Sequence, residues 1–212
     1  MINLTTPLTA SATRRVAAVL ILAVVAVGNA HAASLTWTNP GTGGYFFTAG
    51  NWTDDDTGLT ATSPPANGDT ITIGSFGTPY TIVKDGSFRA YAMSVGAGTV
   101  LESNGNLDWQ TDAVDVYSNA GTIRFHTSDA RWYMHSPGKK HHTVFNSGLV
   151  EADNIALALS SRFRTIDNTG GTLQAVNGGA LNITNSSVSI NGGTMQNDST
   201  STINNIGQNR KV

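Results

Sequence analysis

The stretch Asn119–Phe125 reads NAGTIRF, and it contains the motif from which the fold can be predicted. Asn and Gly are typical of tight corners, because both residues tolerate a positive φ. An alternating segment follows, with Ile123 and Phe125 on one face and Thr122 and Arg124 on the other. The heptapeptide therefore predicts a corner followed by a short β-strand with one apolar face.

The corner motif recurs along the chain at a nearly constant interval. Its glycines are separated by 23, 27, 23 and 22 residues in these five copies: Ala97–Val100, Ala120–Ile123, Ser147–Val150, Gly170–Leu173 and Gly192–Met195. A short one-sided strand cannot bury its apolar face alone, but equivalent strands of successive coils can stack. We expect the final residues of the five copies to form one inward column: Val100, Ile123, Val150, Leu173 and Met195.

This repeat predicts an all-β chain folded as a right-handed parallel β-helix, a solenoid with a period of about 22–23 residues. A β-sandwich or jelly roll is the alternative, because it also contains many short strands and turns. A sandwich, however, has no reason to repeat one corner motif at constant spacing. The 23 glycines and the lack of any long helical period agree with either all-β fold.

Residues 1–32 have the pattern of a cleavable secretory signal peptide. Arg14 and Arg15 precede an unbroken apolar run over 16–27, and Ala30-His31-Ala32 supplies the small residues of a cleavage site. An apolar run of this length is much shorter than the roughly 20 residues of a membrane-spanning helix. We therefore expect an exported mature chain without a membrane span, consisting of a capping and entry region (33–75) and β-helix repeats with an open C-terminal end (76–212).

The composition of the mature chain excludes several classes of function. The signal peptide contains two of the 12 basic residues and none of the 14 acidic ones, so the mature net charge is 10 − 14 = −4. No basic field is available for nucleic acid, which we do not expect as a partner. Because the chain has no cysteine, its stability must come from burial and hydrogen bonds rather than disulfides.

The longest period contains the candidate ligand-binding residues. Basic, aromatic and imidazole side chains are concentrated there, and they suggest contacts with a glycan or, through histidine, a transition metal. Adjacent residues on a strand point to opposite faces, which argues against a metal site at the paired histidines, so we predict no metal or other cofactor. A solvated loop is the other interpretation of this set: His126, Arg131, Trp132, Tyr133, His135, Lys139, Lys140, His141 and His142.

Two further parts of the sequence are candidates for a calcium site or a catalytic pair of carboxylates. Asp54-Asp55-Asp56 lacks the spaced ligands of a calcium loop and is more typical of a solvated turn. A glycosidase needs a pair of carboxylates held close together. The equivalent positions after the five corner glycines are Leu101, Arg124, Glu151, Gln174 and Gln196. Adjacent coils therefore do not supply two carboxylates at these positions. The sequence therefore predicts that the protein is not an enzyme.

The segment Leu35–Ile73 resembles the start of the passenger region in bacterial autotransporter-like proteins. The resemblance is carried by Trp37, Gly50-Asn51-Trp52, Pro65 and Gly68–Ile73, while the corner repeats resemble the body of such passengers and of filamentous-haemagglutinin-type adhesins. It implies a structural or adhesive segment of a Gram-negative surface protein, exported through the periplasm, with surface glycans or host matrix components as partners.

A carbohydrate-binding or polysaccharide-cleaving β-helix is the alternative function. Autotransporters end in an outer-membrane barrel, and no such region follows the fifth corner copy. We therefore expect the chain to be truncated, or a fragment of a longer passenger whose full-length form carries the barrel.

Overall fold

The computed structural model describes residues 32–39, 43–109, 117–127, 130–134, 142–160, 163–183 and 189–205. The predicted signal peptide lies outside these ranges except for Ala32, so export stays a prediction. Within the described ranges, no helix is long and apolar enough to cross a membrane. The helical structure described there is a single 3₁₀ turn at Ala49–Asn51.

The entry region begins the three sheets. Its strands are β1 (Ser34–Trp37), β2 (Gly44–Tyr45), β3 (Trp52–Asp54), β4 (Leu59–Thr60) and β5 (Thr70–Ile73). The chain then continues through β6 (Tyr80–Asp85), β7 (Phe88–Ala90), β8 (Ala92–Val95), β9 (Thr99–Asn104), β10 (Leu107–Trp109), β11 (Tyr117–Asn119), β12 (Thr122–Phe125), β13 (Ala130–Met134) and β14 (His142–Asn146). The last strands are β15 (Leu149–Asp153), β16 (Ala156–Ser160), β17 (Phe163–Asp167), β18 (Thr172–Val176), β19 (Ala180–Ile183), β20 (Ser189–Asn191), β21 (Thr194–Asn197) and β22 (Thr202–Asn205).

From β6 onward, consecutive strands pass to different sheets in a fixed order. Sheet B runs β2-β6-β9-β12-β15-β18-β21, sheet C runs β7-β10-β13-β16-β19-β22, and sheet A runs β4-β3-β1-β5-β8-β11-β14-β17-β20. Each coil thus contributes one strand to each sheet and pairs in parallel with the coils above and below it, as β12 does with β9 and β15. This arrangement confirms the predicted all-β parallel solenoid and excludes the sandwich, whose neighbouring strands would be antiparallel.

The predicted inward column of sheet B is present, with one correction. Ile123 pairs with Leu101, which is fully buried, whereas Val100 pairs with Thr122 and is only half-buried. The column therefore contains Ile82, Leu101, Ile123, Val150, Leu173 and Met195.

The corner glycine of this coil is the cause of the shift. A Cβ on Gly121 would lie 2.5 Å from the carbonyl oxygen of Gly96, so the two glycines stack directly. Gly98, which the sequence motif selects, instead has a φ of +79° in an extra turn that precedes β9. Thr99 consequently enters the core, where its hydroxyl group bonds to Tyr80 Oη at 2.9 Å.

Aromatic rings fill the core of the first coils. The Trp37 and Trp52 rings meet edge to face with centroids 5.1 Å apart, and Phe46 lies 5.1 Å from Trp52 and 4.9 Å from Phe88. Both indole groups are satisfied, because Trp52 Nε1 donates to the Phe46 carbonyl at 2.7 Å and Trp37 Nε1 to that of Asn39 at 3.0 Å. Edge-to-face pairs of this kind add to the stabilisation that burial provides.

Candidate functional site

The structure divides the predicted ligand-binding residues among different environments. His126 follows β12, while Arg131, Trp132 and Tyr133 belong to β13 and His142 begins β14. The side chains of Tyr133 and His142 lie outside the described part of the molecule, and so do these entire residues: His135, Lys139, Lys140 and His141. Their predicted role in binding stays a prediction.

Trp132 is a core residue, so its predicted contact with a ligand at the surface is wrong. Its side chain is fully buried, and its strand neighbours Leu107 and Leu159 are buried with it. Successive side chains on a strand point to opposite faces. Because β13 directs Trp132 inward, Arg131 lies on the exposed face of sheet C.

His126 belongs to the outer face of sheet B. Its Nε2 atom lies 3.8 Å from Glu102 Oε2, and the two side chains are each 27 % exposed. Among the residues that the structure describes, no group of three or more His, Cys, Asp and Glu side chains is placed to hold a metal ion.

A row of polar side chains crosses the outer face of sheet B from coil to coil. We call it the sheet-B ladder, and strand register aligns its members: Glu102, Arg124, Glu151, Gln174 and Gln196. Glu102 takes the place in which the sequence motif puts Leu101, because the register of β9 differs by one residue from that of the motif. Two carboxylates therefore flank one guanidinium group, which the sequence alone did not predict.

The members of the sheet-B ladder bind one another. Arg124 Nη1 lies 3.4 Å from Glu102 Oε1, and Arg124 Nε donates to Glu151 Oε1. Gln174 Nε2 donates to the second oxygen of Glu151, and Gln196 Nε2 donates to Gln174 Oε1 at 2.7 Å. These contacts shield the Glu151 side chain, which is only 7 % exposed although it lies on the outer face.

The carboxylates of the ladder further favour the charged form of the guanidinium group. The hydrogen bond to Glu151 raises the pKa of Arg124, and the charges of Glu151, Glu102 and Asp153 add to this effect against the cost of partial burial. Glu102 and Glu151 are two strand spacings apart, or about 9.5 Å. Inverting glycosidases hold a water molecule between carboxylates at such separations, but here Arg124 occupies the space between them.

A shallow groove follows the corner between sheets A and B. This corner groove has a volume of about 430 Å³, and its lining crosses several coils at Gly98, Ala120, Ser147 and Gly170. The groove exists because these corner residues have small side chains or none. None of the lining residues is ionised; the others are Gly121, Thr122, Gly148, Leu149, Thr172, Gln174 and Gln196.

Sequence reasoning missed the corner groove, although a feature that could have revealed it is present. Ala120, Ser147 and Gly170 are the first residues of their corner motifs, and all three are small. Once the coils are stacked, equivalent small residues lie next to each other and form a continuous depression.

The acidic turn at Asp54 has a structural explanation. Asp54 Oδ1 accepts the backbone N–H groups of Asp56 at 2.9 Å and Thr57 at 3.3 Å, which shapes the turn between β3 and β4. Asp55 accepts a hydrogen bond from Ser34 Oγ at 2.8 Å. Both carboxylates thus contribute to local structure in the way expected of a solvated turn.

Comparison with known proteins gives no match to a protein-family model, a curated protein or a solved structure. The fold and the surface define the class of protein. It is a parallel β-solenoid with the hydrogen-bonded sheet-B ladder on one face and the shallow corner groove along one corner.

Proposed function

We propose that this chain is an exported, non-catalytic segment of a bacterial surface protein and that its role is structural and adhesive. The observation that supports this most is the sheet-B ladder, whose polar groups bind each other between coils. Polar groups used in this way stabilise the stack of coils. A substrate would have to displace them.

The proposed structural role is supported by the way in which the coils of the solenoid are joined. Each coil is joined to the next by three parallel strand pairings and by a column of buried apolar side chains. Each added coil extends the protein by about 4.8 Å. Such a rod can hold a surface at a distance from the cell while keeping its outer faces in a fixed orientation.

The N-terminal sequence supports the proposed export. We expect the protein to pass through the periplasm and then to be secreted or held at the cell surface. The chain should be produced with its own N-terminus in a Gram-negative host, and the exported form analysed by mass spectrometry. We expect an N-terminus at Ala33. Ala30→Arg together with Ala32→Arg should block cleavage, and a wild-type chain that keeps Met1 in the cytoplasm would contradict export.

Adhesion requires a separate assay, for which surface glycans and host matrix components are the proposed partners. Beads coated with the protein should be retained on one of these immobilised partners, whereas beads coated with heat-unfolded protein should pass through. Release of reducing ends from a polysaccharide, lost in Glu102→Gln or Glu151→Gln, would instead show catalysis and contradict the proposal.

A carbohydrate-binding protein is the second candidate, and the corner groove is the observation that favours it. Hydroxyl, amide and backbone groups without charge suit a neutral oligosaccharide better than an acidic one. On an array of neutral and acidic glycans, binding should be restricted to neutral chains and lost in Ser147→Trp, which fills the groove. Ala158→Trp is the matched control on the outer face of sheet C. Binding that survives Ser147→Trp would exclude the groove.

A further inference from the structure

A buried carboxylate lies beside the residue at which the mature chain is expected to begin. Asp69 directly precedes β5 and is only 6 % exposed. Its Oδ1 atom accepts the backbone N–H group of Ala33 at 2.9 Å, and its Oδ2 atom accepts that of Ala66 at 2.8 Å. Both carboxylate oxygens thus bind main-chain donors, and one donor belongs to the residue that follows the predicted cleavage site.

This carboxylate lacks a positively charged partner among the residues that the structure describes. The ion pairs found there lie on the outer face of sheet B, at Arg124 and His126, and none includes Asp69. A buried carboxylate loses its hydration, and a positive charge at hydrogen-bond distance is the partner that best offsets this loss. Two neutral N–H groups are weaker substitutes, because charge-assisted hydrogen bonds are the stronger kind.

The strand that follows Ala33 fixes the position of its nitrogen atom. The Ala33 carbonyl accepts the N–H group of Thr70 at 2.8 Å, at the start of the parallel pairing between β1 and β5. Leu35 and Trp37, further along β1, are buried in the core. Ala32 on the other side is exposed. The nitrogen is therefore expected to stay beside Asp69 when the residues before it are removed.

We propose that removal of the signal peptide turns the Ala33 nitrogen into an α-ammonium group, which forms a buried ion pair with Asp69. This inference rests on the proposed export, with cleavage after Ala32. Hydrolysis breaks the bond between the Ala32 carbonyl carbon and the Ala33 nitrogen. The carbon keeps the oxygen of one water molecule as a carboxylate, and both protons of the water pass to the nitrogen.

The ion pair makes the stability of the entry region depend on processing. In the precursor, Ala33 donates to Asp69 as a neutral amide. In the mature chain the same atom is a cation at neutral pH, and it supplies the charge that the buried carboxylate lacks. Because β1 pairs with both β3 and β5, a stronger bond at its first residue stabilises the start of the solenoid. The chain reaches its full stability only after cleavage.

The test compares two forms of the mature chain that begins at Ala33, one with a free α-amino group and one acetylated there. Acetylation restores a neutral amide N–H, so it removes the charge and keeps the hydrogen bond. The acetyl group takes the exposed place of Ala32. In urea titration at neutral pH, we expect acetylation to reduce the folding equilibrium constant about tenfold. In Asp69→Asn, it should change this constant by less than about twofold.

Asp55→Asn is the matched control, because Asp55 is an exposed carboxylate that also contacts β1, accepting Ser34 Oγ at 2.8 Å. This variant should respond to acetylation as the wild type does. Equal stability of the free and acetylated wild type, or an equal response in Asp69→Asn, would overturn the ion pair and leave export intact. An exported chain that begins at another residue would do the same, whereas a chain that keeps Met1 would contradict export and the ion pair together.

Discussion

Three asparagines form a buried row inside the corner between sheets A and B. Asn119 Nδ2 donates to Asn146 Oδ1 at 2.8 Å, and Asn146 Nδ2 donates to Asn168 Oδ1 at 2.6 Å. Each amide group also donates to a backbone carbonyl of the following coil, as Asn119 does to Leu149 at 3.1 Å. Buried amide groups need such partners, and the row links each coil to its neighbours by side-chain hydrogen bonds.

Removing the middle member of this row should be costly. In Asn146→Ala, the amide of Asn119 loses one acceptor and the Asn168 oxygen loses its donor. Because unsatisfied buried groups cost about 1–3 kcal/mol each, we expect the free energy of unfolding to fall by about 2–4 kcal/mol in urea titration. Asn191→Ala, at an exposed asparagine of the next corner, should change it by less than about 0.5 kcal/mol.

Trp132 offers a second test at the scale of one residue. Since its ring is buried in the core, Trp132→Ala should destabilise the protein by about 3–5 kcal/mol, measured by thermal or urea unfolding. Arg131→Ala, on the exposed face of the same strand, should have little effect. Unchanged stability of Trp132→Ala would show that the tryptophan lies at the surface after all.

The sequence indicates that the corner asparagines matter, but it gives the wrong reason. The sequence motif at Asn119 suggests that asparagine is present because it tolerates a positive φ angle. Among the described residues other than glycine, however, positive φ angles occur at Asn154 and Asn177. The three corner asparagines are needed for their amide groups instead. That need arises only when the coils stack, so a single repeat cannot reveal it.

At the scale of the element, the corner between sheets A and B depends on close stacking of glycines. A Cβ on Gly148 would lie 2.0 Å from the Gly121 carbonyl oxygen, and one on Gly171 would lie 2.4 Å from that of Asn146. No side chain fits between the coils at these positions. The repeated glycine is therefore required by the distance between coils, since Gly121, Gly148 and Gly171 do not have positive φ angles.

This spacing predicts the effect of adding one methyl group. Gly148→Ala should destabilise the fold by about 1–3 kcal/mol, the range for overpacking, in a urea titration. Gly50→Ala is the control, because nothing lies within 4 Å of the Cβ that it would add. An equal effect of the two substitutions would argue against tight stacking at the corner.

A turn in the last coil gives the fold a dependence on pH. Hydrogen bonds from Ser201, the Asn177 N–H and Thr200 hold the pKa of Asp198 well below its ordinary value; Asn177 N–H donates at 2.7 Å and Thr200 Oγ1 at 2.8 Å. A carboxyl group with a lowered pKa stabilises the folded state above its unfolded pKa of about 3.9 and loses this contribution as the pH falls.

Thermal unfolding should therefore occur at lower temperature as the pH decreases below about 4. Asp198→Asn cannot lose a charge at this position, so its melting temperature should depend less on pH over the same interval. If the wild type and the variant show the same slope, the carboxylate of Asp198 does not contribute through these hydrogen bonds.

Sequence periodicity predicted the strands of sheet B well but misplaced one corner. The motif Ala97–Val100 matches the other copies in composition, yet Gly96 is the residue that stacks under Gly121. Both glycines satisfy the local pattern, and only contact with the next coil distinguishes them. The register of β9 differs by one residue from that of the motif, so Glu102 rather than Leu101 lies on the outer face. The motif therefore did not predict the charged part of the sheet-B ladder.

For the whole molecule, the solenoid follows from the repeat because every coil has the same need to bury one apolar face. The surface features are less predictable. The sheet-B ladder and the corner groove each combine residues more than 20 positions apart, and their existence depends on exact register. Trp132 shows the same limit, since composition grouped it with basic residues that the alternation of β13 separates from it.

The parallel stacking of the coils can be measured as a set of distances between equivalent positions of different coils. Because the chain has no cysteine, spin labels can be attached at Thr81→Cys paired with Thr172→Cys or Thr194→Cys. Strand register places Thr172 four pairings and Thr194 five pairings from Thr81 along sheet B.

Stacked parallel coils predict backbone separations of about 19 Å and about 24 Å for these two pairs. Pulsed electron paramagnetic resonance should show narrow distributions that increase by one strand spacing from the first pair to the second. Distances that do not increase with the number of intervening coils would contradict the solenoid and the structural role proposed for it.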